Sequence, residues 1–198
     1  MYKGKSKLLP IVLVIIVAAV AIFALVSVGR AILNRDEDVE VVDTSADRAL
    51  LTAEADRSVR MTVRGPIQAD EEFHSYEIEV SPIGRRMTTY RGYQNESIDN
   101  IQLGNSVAAY DEFVHALSRA NFTSEEQLSE DSEEERGACA SGRLYAFETL
   151  QAQSVTKRLW VTSCKDLPAS FMGDAVFIRD LFQKQIPDSS RLLRTLNL

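Results

Sequence analysis

Four side chains in this sequence are of the types that most often serve as nucleophile, proton shuttle or soft metal ligand. They are His74, His115, Cys139 and Cys164, the only histidines and cysteines in 198 residues. A hydrolase built on either histidine needs a Ser or Cys nucleophile and an orienting carboxylate beside it. No G-x-S-x-G or comparable nucleophile context occurs in the chain. An envelope-acting enzyme with His74 or His115 as its base stands only as an alternative. The cysteines do not form a C-x-x-C pair, so thioredoxin-like chemistry is not indicated. Two cysteines and two scattered histidines also fit no zinc-ligand spacing. The sequence therefore assigns no catalytic residue, no metal site and no cofactor.

The cysteines fit a staple instead. Between them lie two strand-like runs, "GRLYAFETL" and "TKRLWVTSC", separated by "QAQSV". Opposed residues of an antiparallel pair share a constant index sum. Cys139 and Cys164 sum to 303, close to the value set by a turn near residue 152. The two thiols should thus meet near the open end of a hairpin, at Cα separations of about 4.5–5.5 Å, within disulfide reach. Such a bond persists in an oxidising compartment.

Two further groups bear on binding. "SEEQLSEDSEEER", residues 124–136, carries seven carboxylates. Ca²⁺ takes oxygen ligands of this kind. The D-x-[DN]-x-[DN]-G order that would wrap them around one ion is missing, and the run reads as a solvated loop. Tyr90, Tyr93, Tyr145 and Trp160 are the aromatics available for a recognition surface, since aromatic anchors concentrate at such surfaces.

These residues need elements to hold them. "SVRMTVR" alternates Val59, Met61 and Val63 with Arg60, Thr62 and Arg64, the period-two mark of a half-buried strand. "HSYEIEV" alternates likewise, "SPIG" is a turn, and "RRMTTYRGY" resumes as a strand. On the polar side, Arg60 and Arg64 can oppose Glu77 and Glu79. The Asn/Gln/Asp-rich stretch that follows reads as a loop. At "GNSVAAYDEFVHALSRANF" the period becomes helical, with Asn105 or Ser106 as cap and Val107, Tyr110, Phe113, Val114 and Leu117 as the apolar stripe. A second helix spans 174–186, capped by Asp174, striped by Val176, Ile178, Leu181, Phe182 and Ile186, and stopped by Pro187. The tail "SSRLLRTLNL" adds a short helix through Leu192, Leu193 and Leu196. The expected fold is α+β: a four-stranded antiparallel sheet with two helices on one face, in pseudo-repeated strand–strand–helix units.

The N-terminal part sets the address. Residues 8–28, "LLPIVLVIIVAAVAIFALVSV", carry no charge over 21 positions, enough for a helix to cross the hydrocarbon core. The run exceeds a signal-peptide apolar region and its end offers no small-x-small site, so it reads as an uncleaved signal anchor. Lys3, Lys5 and Lys7 before it outweigh Arg30 and Arg35 after it, placing the N-terminus in the cytoplasm. The domain plan is then a cytoplasmic tail at 1–7, a single-pass span at 8–28, an acidic linker at 29–57 and an extracytoplasmic domain at 58–198. From Arg30 onward 19 Lys and Arg face 29 Asp and Glu, a balance of −10. That charge disfavours nucleic acid. The reading is a non-catalytic binding or assembly module of the cell envelope, held in the lipid bilayer through 8–28. It meets a protein partner or a second copy of itself. A pilin-like structural subunit shares the layout, but Gly4 is followed by "KSKLLP", with no Phe next to it and no Glu five positions on. If the anchor is retained, the intact mass of the membrane-extracted chain includes residues 1–7. A mature N-terminus at Lys5 would instead favour the pilin-like subunit.

Overall fold

The computed structural model describes residues 50–52, 54–128, 134–196 and 198. Among these, no helix is long and apolar enough to cross a membrane. The apolar run 8–28 lies outside the described residues, as does most of the 29–57 linker, although Leu50 is buried in the core.

Six strands form one antiparallel sheet in the order β4-β3-β2-β1-β5-β6. They are β1 (Arg57–Arg64), β2 (His74–Val80), β3 (Gly84–Arg91), β4 (Glu96–Gly104), β5 (Leu144–Gln151) and β6 (Ser154–Thr162). Helix α1 (Val107–Arg119) follows β4, and α2 (Ala175–Lys184) and the short α3 (Ser189–Leu193) follow β6. The α+β antiparallel plan holds, but the sheet has six strands rather than four. Dividing the chain into two equal strand–strand–helix units leaves no place for the third strand of the first half. The fourth, β4, is an edge strand exposed at seven of its nine positions; only Ile101 and Leu103 are half-buried, too short an alternation to mark a strand in the sequence. The first half is therefore four strands and a helix, the second two strands and two helices.

The alternating pattern of β1 sends Val59, Met61 and Val63 to one face, where they join Ile78, Met87 and Phe147 of neighbouring strands. The helices cover that face. Ser106 caps α1 by accepting the Ala109 N–H, and Asp174 caps α2 by accepting that of Phe177. Phe113 of α1 and Phe182 of α2 meet edge to face, 5.2 Å between centroids, and Phe122 and Phe171 fill the space against Phe147. Val107 and Val176 were expected in the helix stripes but are about half exposed. Val107 lies in the opening turn of α1. Val176 sits two positions from Ile178, about 200° around the helix from the buried line.

The β5–β6 turn is Ala152-Gln153, both in the left-handed region at φ 48° and 68°. A two-residue hairpin of this twist favours Asn-Gly, and each L-residue with a Cβ in that region costs about 1–2 kcal/mol. Ala152→Asn combined with Gln153→Gly should raise Tm by roughly 2–4 °C, after allowing for the extra chain entropy glycine loses on folding. Calorimetry checks it; an unchanged or lower Tm would mean the turn is not strained.

Candidate functional site: the helix-free face of the sheet

The face opposite the helices is organised by one row of charges. Strand register places Arg86 of β3 opposite Glu79 of β2, Glu79 opposite Arg60 of β1, Arg60 opposite Glu148 of β5, and Glu148 opposite Arg158 of β6. Signs alternate at every step. Glu79 Oε2 accepts from Arg86 Nη2 and Arg60 Nη2, both at 3.1 Å, and Glu148 Oε2 accepts from Arg60 Nη1 at 3.4 Å. Arg158 donates to Glu148 on one side and to Glu135, 2.7 Å away, on the other. Glu77 stands beside the row, 3.7 Å from both Arg60 and Arg86. Three arginines face four carboxylates. Burial lowers the Arg60 pKa, but Glu77, the hydrogen bond to Glu79, and Glu148 raise it to a net upward shift. Burial raises the Glu77 carboxyl, against the pull of Arg60, and Glu79 adds to the rise. The expected pairing of Arg60 with Glu79 is present. Arg64 instead faces Ser75 and lays its guanidinium 5.5 Å from the Phe73 ring centroid.

One half of this face is roofed by the chain itself. Trp160, Ala146 and Leu144 form a small apolar cluster there, covered by Leu128 and Ala138. The Cys139–Cys164 disulfide, with Cα atoms 5.8 Å apart, ties the roofing segment to the end of β6. Both cysteines lie beyond the strand ends rather than in the ladder, so the staple joins two loops. Beside the roof is a cleft of about 900 Å³ lined by Glu125, Glu126, Glu134, Glu135, Arg158 and Trp160. Three of its acids pair with neighbouring cations: Glu125 with Lys157 at 3.0 Å, Glu134 with Arg136 at 2.6 Å, and Glu135 with Arg158. Among the described residues no group of three or more His, Cys, Asp or Glu side chains could hold a metal ion, and residues 129–133 of the acidic run lie outside them.

The other half, over β3 and β4, is open. Arg86, Tyr90, Asn100 and Gln102 lie on it, with Thr88 buried between them. A shallow groove of about 350 Å³ runs along its end past Ser81, Arg86, Gln102 and Leu103. Of the four aromatics singled out by sequence, Tyr90 is half-buried here and Trp160 lies on the same face under the roof. Tyr145 is buried in the helix-side core. Tyr93 is 42% exposed; its ring stacks on Phe73 at 4.1 Å, and its hydroxyl donates to the Gln68 carbonyl while accepting the Gln68 N–H. The four therefore do not share one surface. His74 Nδ1 donates to the Glu72 carbonyl and His115 Nδ1 to that of Asp111. Neither histidine lines the clefts described here.

Sequence reasoning named Arg60, Glu77 and Glu79 but missed Glu148, Arg86 and Arg158. A charge of fixed sign at the polar positions of successive strands was the available signal. Compared with known protein families and curated proteins, the chain matches no family model and no curated sequence.

Arg60→Met leaves Glu79 with Arg86 and Glu148 with Arg158 as their remaining partners, and should cost about 1–3 kcal/mol in urea unfolding. Glu77→Gln should behave oppositely. Because its folded pKa is raised, the stability associated with Glu77 is present at low pH and is lost as pH rises through the folded value. The Gln variant should match the parent near pH 3.5 and equal or exceed it at pH 7. A variant less stable at pH 7 than at pH 3.5, relative to the parent, would reverse that sign.

Proposed function

We propose that this chain is a single-pass, membrane-anchored module of the cell envelope whose folded domain lies outside the cytoplasm. It binds a protein partner on the open β3–β4 half of its sheet and carries no catalytic machinery. The observation that carries this reading is the unequal treatment of the two halves of one face. Over β5 and β6 the chain invests a loop, a disulfide and an apolar cluster in covering the strands. Over β3 and β4 it leaves Arg86, Tyr90, Asn100 and Gln102 open to solvent. A polar surface with one half-buried tyrosine and one guanidinium suits a partner that supplies its own carbonyls and carboxylates. The uncharged run 8–28 supports the anchor, and the disulfide supports an oxidising address.

A photoreactive side chain placed at Tyr90 in intact cells should give discrete adducts that are lost when Arg86 is changed to Glu. The same group at Glu112 on α1 should give none. Equal labelling at both positions, or none at Tyr90, would remove the open half of the sheet from consideration.

A further inference from the structure

Strand β4 is the outermost of the sheet, nine residues long, and among the described residues no strand pairs with its outer edge. Long exposed edges template pairing with another chain, and proteins commonly blunt them with lysine, proline or a covering segment. The opposite edge is covered in this way: the Ser170 and Phe171 N–H groups donate to the Trp160 carbonyl on β6, and Ser170 Oγ accepts the Trp160 N–H. β4, "ESIDNIQLG", contains neither lysine nor proline. Its two acids are already paired, Glu96 with Arg91 at 3.0 Å and Asp99 with Arg191 at 3.7 Å. In a chain that is strongly acidic from Arg30 onward, this edge is a place where a second copy would meet neutralised charge rather than repulsion.

The backbone directions select a register. Thr89 Oγ1 donates to the Asp99 carbonyl, so the Asp99 main chain turns toward β3. The Asn100 N–H is taken by the Asp99 carboxylate, so the Asn100 main chain turns outward. By alternation Gln102 also turns outward. Antiparallel pairing must set outward residues against outward residues. A two-fold axis beside Ile101 does this: Asn100 meets Gln102 of the partner, Asp99 meets Leu103, and Ile101 meets Ile101. No like charges are opposed, and the two isoleucines extend the apolar face. An axis through Asp99 would instead set two carboxylates against each other. Ile98, which takes the extra position at the Thr89/Tyr90 bulge and is 47% exposed, lies at the end of the paired stretch.

The geometry points to self-association of this chain by antiparallel β4–β4 pairing about Ile101, giving a continuous twelve-stranded sheet. This rests on the binding-and-assembly reading above and names one partner for it, a second copy. Because Asp99 must release the Asn100 N–H, the pairing is reversible and depends on concentration.

The test uses the full chain. Its own two cysteines are bridged, so a new cysteine is the single free thiol. Directly opposed non-hydrogen-bonded residues sit about 4.5 Å apart at Cα, within disulfide range. Under mild oxidation Ile101→Cys should form a covalent dimer at least tenfold faster than Val155→Cys on the β6 edge. Asn100→Pro removes an outward N–H that donates to the exposed Asp99 carboxylate, and should weaken dimerisation at least tenfold in sedimentation while leaving Tm within a few degrees. A chain that sediments as a monomer at every concentration would overturn the proposal, as would crosslinking no faster at residue 101 than at 155. If Tyr90 adducts to a different protein persist while Ile101→Cys fails to dimerise, self-pairing is overturned and the partner-binding face stands.

Discussion

Arg60 sits in one of the two central strands of the sheet, and its guanidinium is shared by carboxylates from strands on both sides. It is the only charge in the row that bridges the two halves of the fold. β1 joins the β2–β3–β4 meander to the β5–β6 hairpin, so the pairing that unites the two halves of the sheet passes through it. On one side of β1 the helices press against Val59, Met61 and Val63; on the other the charge row crosses from Arg86 to Glu135. The apolar side is held by burial, at about 1.5–3 kcal/mol per large side chain before entropy. The charged side adds little net stability of its own, because desolvating partly buried ions offsets much of their attraction. What it adds is register. A slip of one residue would carry Arg60 into the core and Met61 out to the charge row.

That register explains why the two halves of the polar face differ. Beyond Glu148 the row ends at Arg158 and Glu135, and Glu135 belongs to the segment that the disulfide holds down. The roof is thus fastened both covalently and by ion pairs, with Trp160 beneath it. A covalent clip across 25 residues restricts the unfolded chain by about 3 kcal/mol on the chain-entropy account. Toward β4 the row stops at Arg86, opposite the uncharged Gln102, and nothing described covers it.

Much of the architecture was legible because burial writes itself into sequence. The strands with one face in the core alternate plainly, the cap residues Ser106 and Asp174 stand where the helices begin, and the cysteines flank a hairpin. β4 was hidden for the complementary reason: an edge strand with only Ile101 and Leu103 half-buried has almost no apolar rhythm and shares its composition with a loop. Trp160 was ambiguous because it points to the polar face yet is buried, covered by a segment whose approach depends on tertiary contacts. The aromatics did not gather at one site, since Tyr145 and Trp160 differ by one in strand parity across the β5–β6 pair and so fall on opposite faces. The charge row was half visible; pairing Arg60 with Glu79 needs only neighbouring strands, whereas Glu148 joins them only once β5 is known to lie against β1.

Residue-resolved amide hydrogen exchange on dilute, unassociated protein tests the central claim most directly. With β1 locked on both faces and β4 an uncovered edge, the amides of Met61 and Val63 should exchange only through global unfolding. Those of Asn100 and Gln102 should exchange orders of magnitude faster. Equal protection of β1 and β4 under those conditions, or rapid exchange at Met61, would contradict a sheet organised around Arg60.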